Sequence, residues 1–181
     1  MSDRTAAEVV SFWRDAGPDR WWDKDEDFDR LVRSKFLLLH EAAARAELAG
    51  WEDTSEGALA LVILLDQFPR NMFRGSPHAF ATDPLAQAVA DRAIARGFDA
   101  ATDEEMRTFF YMPFMHSEIL AHQDRCVELM AALADSGLAK YAAIHREIIA
   151  KFGRFPHRNR ALGRPTSLAE RDFLDAGGFA G

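Results

Sequence analysis

Eight apolar residues in a row, Ala58-Leu59-Ala60-Leu61-Val62-Ile63-Leu64-Leu65, give way abruptly to Asp66-Gln67-Phe68-Pro69-Arg70-Asn71 and then Arg74-Gly75. A helix that is apolar on every side belongs inside a core, so this run predicts a central helix opened by Asp53 or Thr54. Pro69 is expected to stop it, leaving a loop as far as Pro77 and a polar head at the helix C-terminus. A carboxylate is disfavoured at that end by about 0.3–1 kcal/mol. Asp66 therefore calls for a cation, and Arg70 and Arg74 are the nearest. Either they form a structural ion pair or they belong to a ligand site.

The rest of the chain shows helical spacing on both sides of this run. Thr5 with Glu8 predicts a capping box before Val9, Val10 and Trp13, and Gly17-Pro18 ends that helix. Trp21-Trp22 forms a link. Phe28, Leu31, Val32, Phe36, Leu39 and Ala43 recur at helical intervals up to a stop at Gly50. Asp83-Pro84 reads as an N-cap and first turn, with Gly97 closing the helix. Thr102 with Glu105 reads as a second capping box, and Pro113 as a disturbance further on. Ser117 reads as the cap of a helix carrying Cys126 and Met130. Ser136-Gly137 is a short break. Leu138 to Ile149 continues helically to Gly153, and Ser167 with Glu170 caps a last short helix. That makes roughly eight helices and no convincing strand, an all-α chain whose short turns pack neighbouring helices antiparallel. With no linker and no low-complexity stretch, residues 1–181 read as one helical domain.

Composition narrows the class. The chain has 181 residues, 48% hydrophobic and 28% charged, which suits a folded globular chain. No apolar run approaches the roughly 18–20 residues that span a bilayer. Met1-Ser2-Asp3-Arg4 lacks a signal-type start, so the expectation is cytoplasmic, with no membrane partner. The single cysteine, Cys126, excludes an internal disulfide or a cysteine-rich zinc site and reads as a buried thiol. A formal charge of −7 argues against nucleic acid. The charge is uneven: five of the 22 basic residues lie between Lys151 and Arg164, a stretch with no acid.

Three polar stretches interrupt the helical pattern: Asp66 to Gly75, Phe110 to Glu118, and Phe152 to Arg164. Each falls where helices start or end and backbone groups are open to ligands. Asp66-Gln67-Phe68-Pro69-Arg70-Asn71, Pro113 with His116-Ser117-Glu118, and Phe155-Pro156-His157-Arg158-Asn159 with Gly163-Arg164 resemble the signature of the bacterial family catalogued as domain of unknown function 924, along nearly the whole chain. The resemblance implies an all-helical fold of the tetratricopeptide-like, α-α superhelical kind, and it implies no activity. No regular repeat of about 34 residues is visible in the chain.

The residues themselves leave several chemistries open. His116, Glu118 and His157 are donors that suit a divalent ion. Residues two apart on a helix, however, point about 200° from each other, and neighbouring arginines repel a cation. No metal and no cofactor is expected. An anion fits better, because Arg70, Arg74, Arg154, Arg158 and Arg164 offer forks that match phosphate or carboxylate. The candidate ligand-binding set is Asp66, Gln67, Arg70, Asn71, Arg74, His116, Ser117, Glu118, Arg154, His157, Arg158, Asn159 and Arg164. The ligand would be an anionic small molecule or the anionic group of a protein partner. The competing structural account pairs Arg154 and Arg158 with Asp66 and Glu118 as a buried lattice. A second functional reading is a hydrolase, with or without a metal, using His116, Glu118 and Asp66, with Glu118 as general base. A third is a protein-interaction scaffold with structural polar loops, and a homodimer remains open. Ser117 beside His116 in sequence does not make a triad, which needs partners that meet in space. No GxSxG, P-loop or HExxH motif occurs. Trp13, Trp21, Trp22 and Trp51 crowd the N-terminal third, as core or as a partner patch.

Overall fold

Local capping chemistry sets most of the helices. In the computed structural model, which describes residues 5–134 and 136–180, no strand forms among the described residues. The first four residues, where the absence of a signal-type start was read, lie outside them. Helix α1 (Ala6–Ala16) starts at the Thr5/Glu8 capping box and ends at Gly17, whose φ of 70° favours glycine. Pro18 then opens a short helix, α2 (Pro18–Trp21), where the sequence suggested only a link. Asp25 caps α3 (Glu26–Ala44) through the amides of Asp27 and Phe28. That helix ends well before Gly50, at a turn where Ala46 adopts a φ of 59°. Thr54 caps α4 (Ser55–Val62).

Pro69 does not end the central helix. Ile63–Gln67 widens into a π turn that passes directly into α5 (Phe68–Met72). Asp66 therefore sits inside a continuous helical run and not at a C-terminus, so the macrodipole penalty expected from the sequence does not apply. The cause is a missing donor. Proline has no N–H, and its ring clashes with the carbonyl four residues back, here that of Leu65. Wider winding removes the clash. The Phe68 amide bonds to the carbonyl of Ile63, five residues back, which leaves Leu64 and Leu65 short of their usual helical donors. Side chains supply them: His40 Nδ1–H donates to the Leu64 carbonyl at 2.8 Å and the Thr82 hydroxyl to that of Leu65 at 2.6 Å. Arg70 adds a donor to the Asp66 carbonyl at 2.5 Å. Backbone groups this deep are costly without partners, so Pro69, His40 and Thr82 form one arrangement.

Downstream, Asp83 is the first residue of α6 (Asp83–Ala95) and not its cap; its carboxylate is used elsewhere. Asp103, not Thr102, caps the start of α7 (Glu104–Met115) by accepting the Met106 amide, and α7 runs on through Pro113. Next come α8 (Leu120–Ala131), α9 (Ser136–Phe152) and α10 (Leu168–Asp175). The break read at Ser136-Gly137 forms the first residues of α9. The Ser167/Glu170 capping box forms as expected.

By its internal contacts the chain gathers into two compact units, Met1–Arg74 with His78–Pro113, and Gly75–Pro77 with Phe114–Gly181. In the first, residues 57–67, spanning most of α4 and the π turn, are buried on all sides, as the apolar run predicts, and pack against α1, α3 and α6. Trp13 meets Phe68 and Phe109 edge to face at 5.6 Å. Trp21 donates its indole N–H to the Trp13 carbonyl at 2.7 Å, while Trp22 is exposed. In the second unit α8 packs on α9, and Ile148, Ile149 and Phe155 form a core joined by Phe152, Phe173 and Phe179. Cys126 is buried, and burial pushes its thiol up to about 12. Among the described residues no helix is long and apolar enough to cross a membrane.

Candidate functional site

The predicted polar residues gather in two clusters, one in each unit. In the first, the π turn aims Asp66 inward, and the carboxylate is fully buried. It accepts from Gln67 Nε2 at 2.6 Å and lies 3.3 Å from Arg70. The Arg70 fork also holds Asp83 in bidentate fashion at 3.0 Å. Burial works against the Arg70 charge, but Asp66 and Asp83 outweigh it and raise its pKa. Asp29 on α3 accepts from Asn71 at 2.8 Å and from both ends of the Arg74 fork at 2.8 and 2.9 Å. Every polar side chain of the string from Asp66 to Asn71, and Arg74 beyond it, thus has a protein partner.

The second cluster is organised by Glu118, which follows the C-terminal end of α7. Its carboxylate accepts the Phe155 amide at 2.8 Å and the Arg164 fork at 2.7 and 3.0 Å. Burial disfavours this charge, but Arg164 and the amide prevail and hold the carboxyl below its usual range. With three donors fixed on it, Glu118 anchors the loop that carries Phe155 and Arg164. Arg164 also donates to Asn159 Oδ1 and the Phe155 carbonyl, so it closes the loop it ends. Gly163, at a φ of 63°, makes that reversal easy.

Arg154 does not pair as the sequence suggested. Its partner is Glu170 of α10, at 2.6 and 2.9 Å, and Arg154 holds that nearly buried carboxyl well below its ordinary value. Arg158 is buried, with its guanidinium 4.5 Å over the Phe155 ring. Glu118 feels its charge, although Arg164 is the fork that binds there. His157 is part-buried between Phe155 and Phe179. Burial, then the Arg158 charge and His145, push its pKa down to about 3, so it is neutral at physiological pH. Its surroundings also include His116. Ser117 is buried and hydrogen-bonds to His122, a residue the sequence did not single out.

Among the described residues, no three His, Cys, Asp or Glu side chains stand close enough to hold a metal ion. The residues missed from sequence are mostly partners: His40, Asp29, Thr82 and Asp83 in the first unit, and Gln123, His122, His145 and Glu170 in the second. Asp83 and Glu170 were visible only as helix-start residues. Their second role, holding an arginine, has no local signature. Gln123 did leave a trace, as an amide on the apolar face that carries Cys126 and Met130.

Comparison with known proteins agrees with this architecture. Residues 9–178 match the family model described as bacterial protein of unknown function (DUF924). The solved structure of the protein of unknown function ATU0120 from Agrobacterium tumefaciens is similar over 95% of this chain and 97% of that one, at 50% identity and a TM-score of 0.92. No curated protein matches the chain. The all-helical fold and the match along residues 9–178 show that the chain belongs to the bacterial family of unknown function DUF924.

Proposed function

We propose that this is a small cytoplasmic binding protein, built on a tetratricopeptide-like scaffold, that takes an anionic group on the loop between α9 and α10 of its second unit. The group is a phosphate or carboxylate, on a small molecule or on a partner. One observation carries the reading: five basic residues and no acidic one lie between Lys151 and Arg164, and among the described residues Arg154 pairs with Glu170 and Arg164 with Glu118 from outside that stretch. Arg154 and Arg164 are held rigid by those carboxylates, which fixes the loop in one shape. Arg158 stands packed over Phe155, and Arg160 is exposed at the rim. Arginines fixed in place suit a carboxylate or phosphate, because little conformational freedom is lost on binding. The corresponding cluster of the first unit, with Arg70 bound by two carboxylates, reads as structural.

Thermal unfolding in the presence of inorganic phosphate, citrate and nucleotides tests this. A ligand at about 100 times its dissociation constant stabilises the native state by roughly 2.7 kcal/mol. The expected result is a shift with at least one anion that is reduced in R160A, a surface change that leaves the unliganded melt in place. The reading fails if no anion shifts the melt, or if R160A shifts as the wild type does.

A further inference from the structure

The turn between α7 and α8 brings together a hydroxyl and an imidazole that the ion-pair network does not use. Ser117 Oγ lies 2.9 Å from His122 Nδ1 and accepts the Ile119 amide at 3.2 Å. Both groups are held in place. Gln123, fully buried, donates Nε2 to the carbonyls of Phe114, Met115 and Ser117 at 3.2, 2.7 and 2.6 Å, which clamps the turn to the first turn of α8. The Phe114 ring meets His122 edge to face at 5.7 Å. With its proton on Nε2, the imidazole presents the Nδ1 lone pair to the Ser117 hydroxyl, the arrangement in which a base takes a proton from a nucleophile.

The amides nearby have a defined disposition. Those of His122 and Gln123 return to the Ile119 carbonyl, and that of Ile119 is on Ser117 Oγ. Those of Leu120 and Ala121 have no acceptor among the described residues, and both residues are exposed. Ser117 itself is buried, and Ile119 and Leu120, which follow it in the chain, leave apolar surface exposed at 54% and 41%.

The geometry points to Ser117 and His122 as a nucleophile and general base for acyl transfer from small carboxylic esters with an apolar acyl group. Ser117 Oγ attacks the ester carbonyl carbon while His122 Nδ1 takes its proton. The oxyanion lies against the Leu120 and Ala121 amides. Collapse breaks the ester C–O bond, and the leaving alcohol takes the proton from His122. Water then attacks the acyl-serine, giving a proton to His122, which returns it to Ser117 Oγ as the acid departs. The sum is ester plus water to acid plus alcohol. The acyl group lands on Ile119 and Leu120.

The test is reaction of the full-length protein with a fluorophosphonate probe, located by peptide mass spectrometry, alongside turnover of p-nitrophenyl butyrate. Wild type is expected to carry one adduct, on Ser117. S117A is expected to lose the adduct and the turnover. Because S117A also removes an acceptor for the Ile119 amide, H122Q serves as the second variant. With its circular dichroism and melt unchanged, H122Q is expected to label and turn over about 100-fold more slowly or worse, the usual worth of a general base. An unlabelled Ser117 in folded wild type, or H122Q labelling at the wild-type rate, overturns the assignment.

Discussion

Lowering the pH should expose the cost of keeping His157 neutral. Its folded pKa lies near 3 against an ordinary value of 6.5, with burial the main cause and Arg158 the next. The folded state thus binds fewer protons than the unfolded chain between those limits. The contribution of His157 is fully present above the unfolded pKa and is lost as pH falls below it, at up to about 1.4 kcal/mol per pH unit. Between about pH 6.5 and pH 5 that is a ceiling of about 2 kcal/mol, and partial exposure of the ring brings it to about 1–2 kcal/mol. The window is clean. The depressed carboxylates Glu118, Glu170 and Asp103 lose their contribution only below their ordinary values of 4.5 and 3.8. His40, also lowered by burial, acts in the same direction as His157 and stays constant in the comparison. Urea unfolding of wild type and H157Q at about pH 7 and about pH 5 gives the answer directly. The wild type should lose about 1–2 kcal/mol more than H157Q across that interval. Equal losses in the two proteins would refute the buried, neutral histidine.

Four further outcomes follow from the packing. Thr82→Val removes the hydroxyl that donates to the Leu65 carbonyl and should cost about 1–3 kcal/mol in urea unfolding, since that carbonyl stays buried opposite Pro69. Gly57→Ala should destabilise, although alanine gains about 1 kcal/mol of helix propensity, because a Cβ there would lie 2.0 Å from the Trp51 carbonyl oxygen; a raised melting temperature would contradict the geometry. Arg164→Lys should lower stability by about 2–3 kcal/mol despite keeping the charge, because a single ammonium cannot hold Glu118, Asn159 and the Phe155 carbonyl together. Cys126, its thiol pushed up to about 12 and buried, should stay unreactive to a thiol reagent in native protein and react once unfolded; rapid native labelling would mean the α8–α9 packing is open.

How far the sequence reached depended on the range of the interaction. The capping boxes at Thr5/Glu8 and Ser167/Glu170, the stops at Gly17, Gly97 and Gly153, and the buried run from Ala58 were all legible. Each is a choice made within a few residues, where backbone sterics, caps and apolar periodicity act alone. Pro69 misled for the same reason. By local rules it ends a helix, yet here the helical run continues, because His40 from α3 and Thr82 before α6 supply donors to the carbonyls that the π turn frees.

The candidate site divided along the same line. The residue types of the three polar stretches stood out in sequence because charged and aromatic residues crowd where helices end. The pairing did not. Arg70 meets Asp83 across 13 positions, Arg154 meets Glu170 across 16, and Glu118 meets Arg164 across 46. A carboxylate has no local preference among the arginines of its chain; the backbone path decides which fork arrives with both nitrogens aligned and water excluded. Local sequence therefore determined the helices and the residues available for chemistry, and the tertiary structure alone decided which charges cancel, because the energy of a buried pair depends on distance and desolvation that only the packed chain sets.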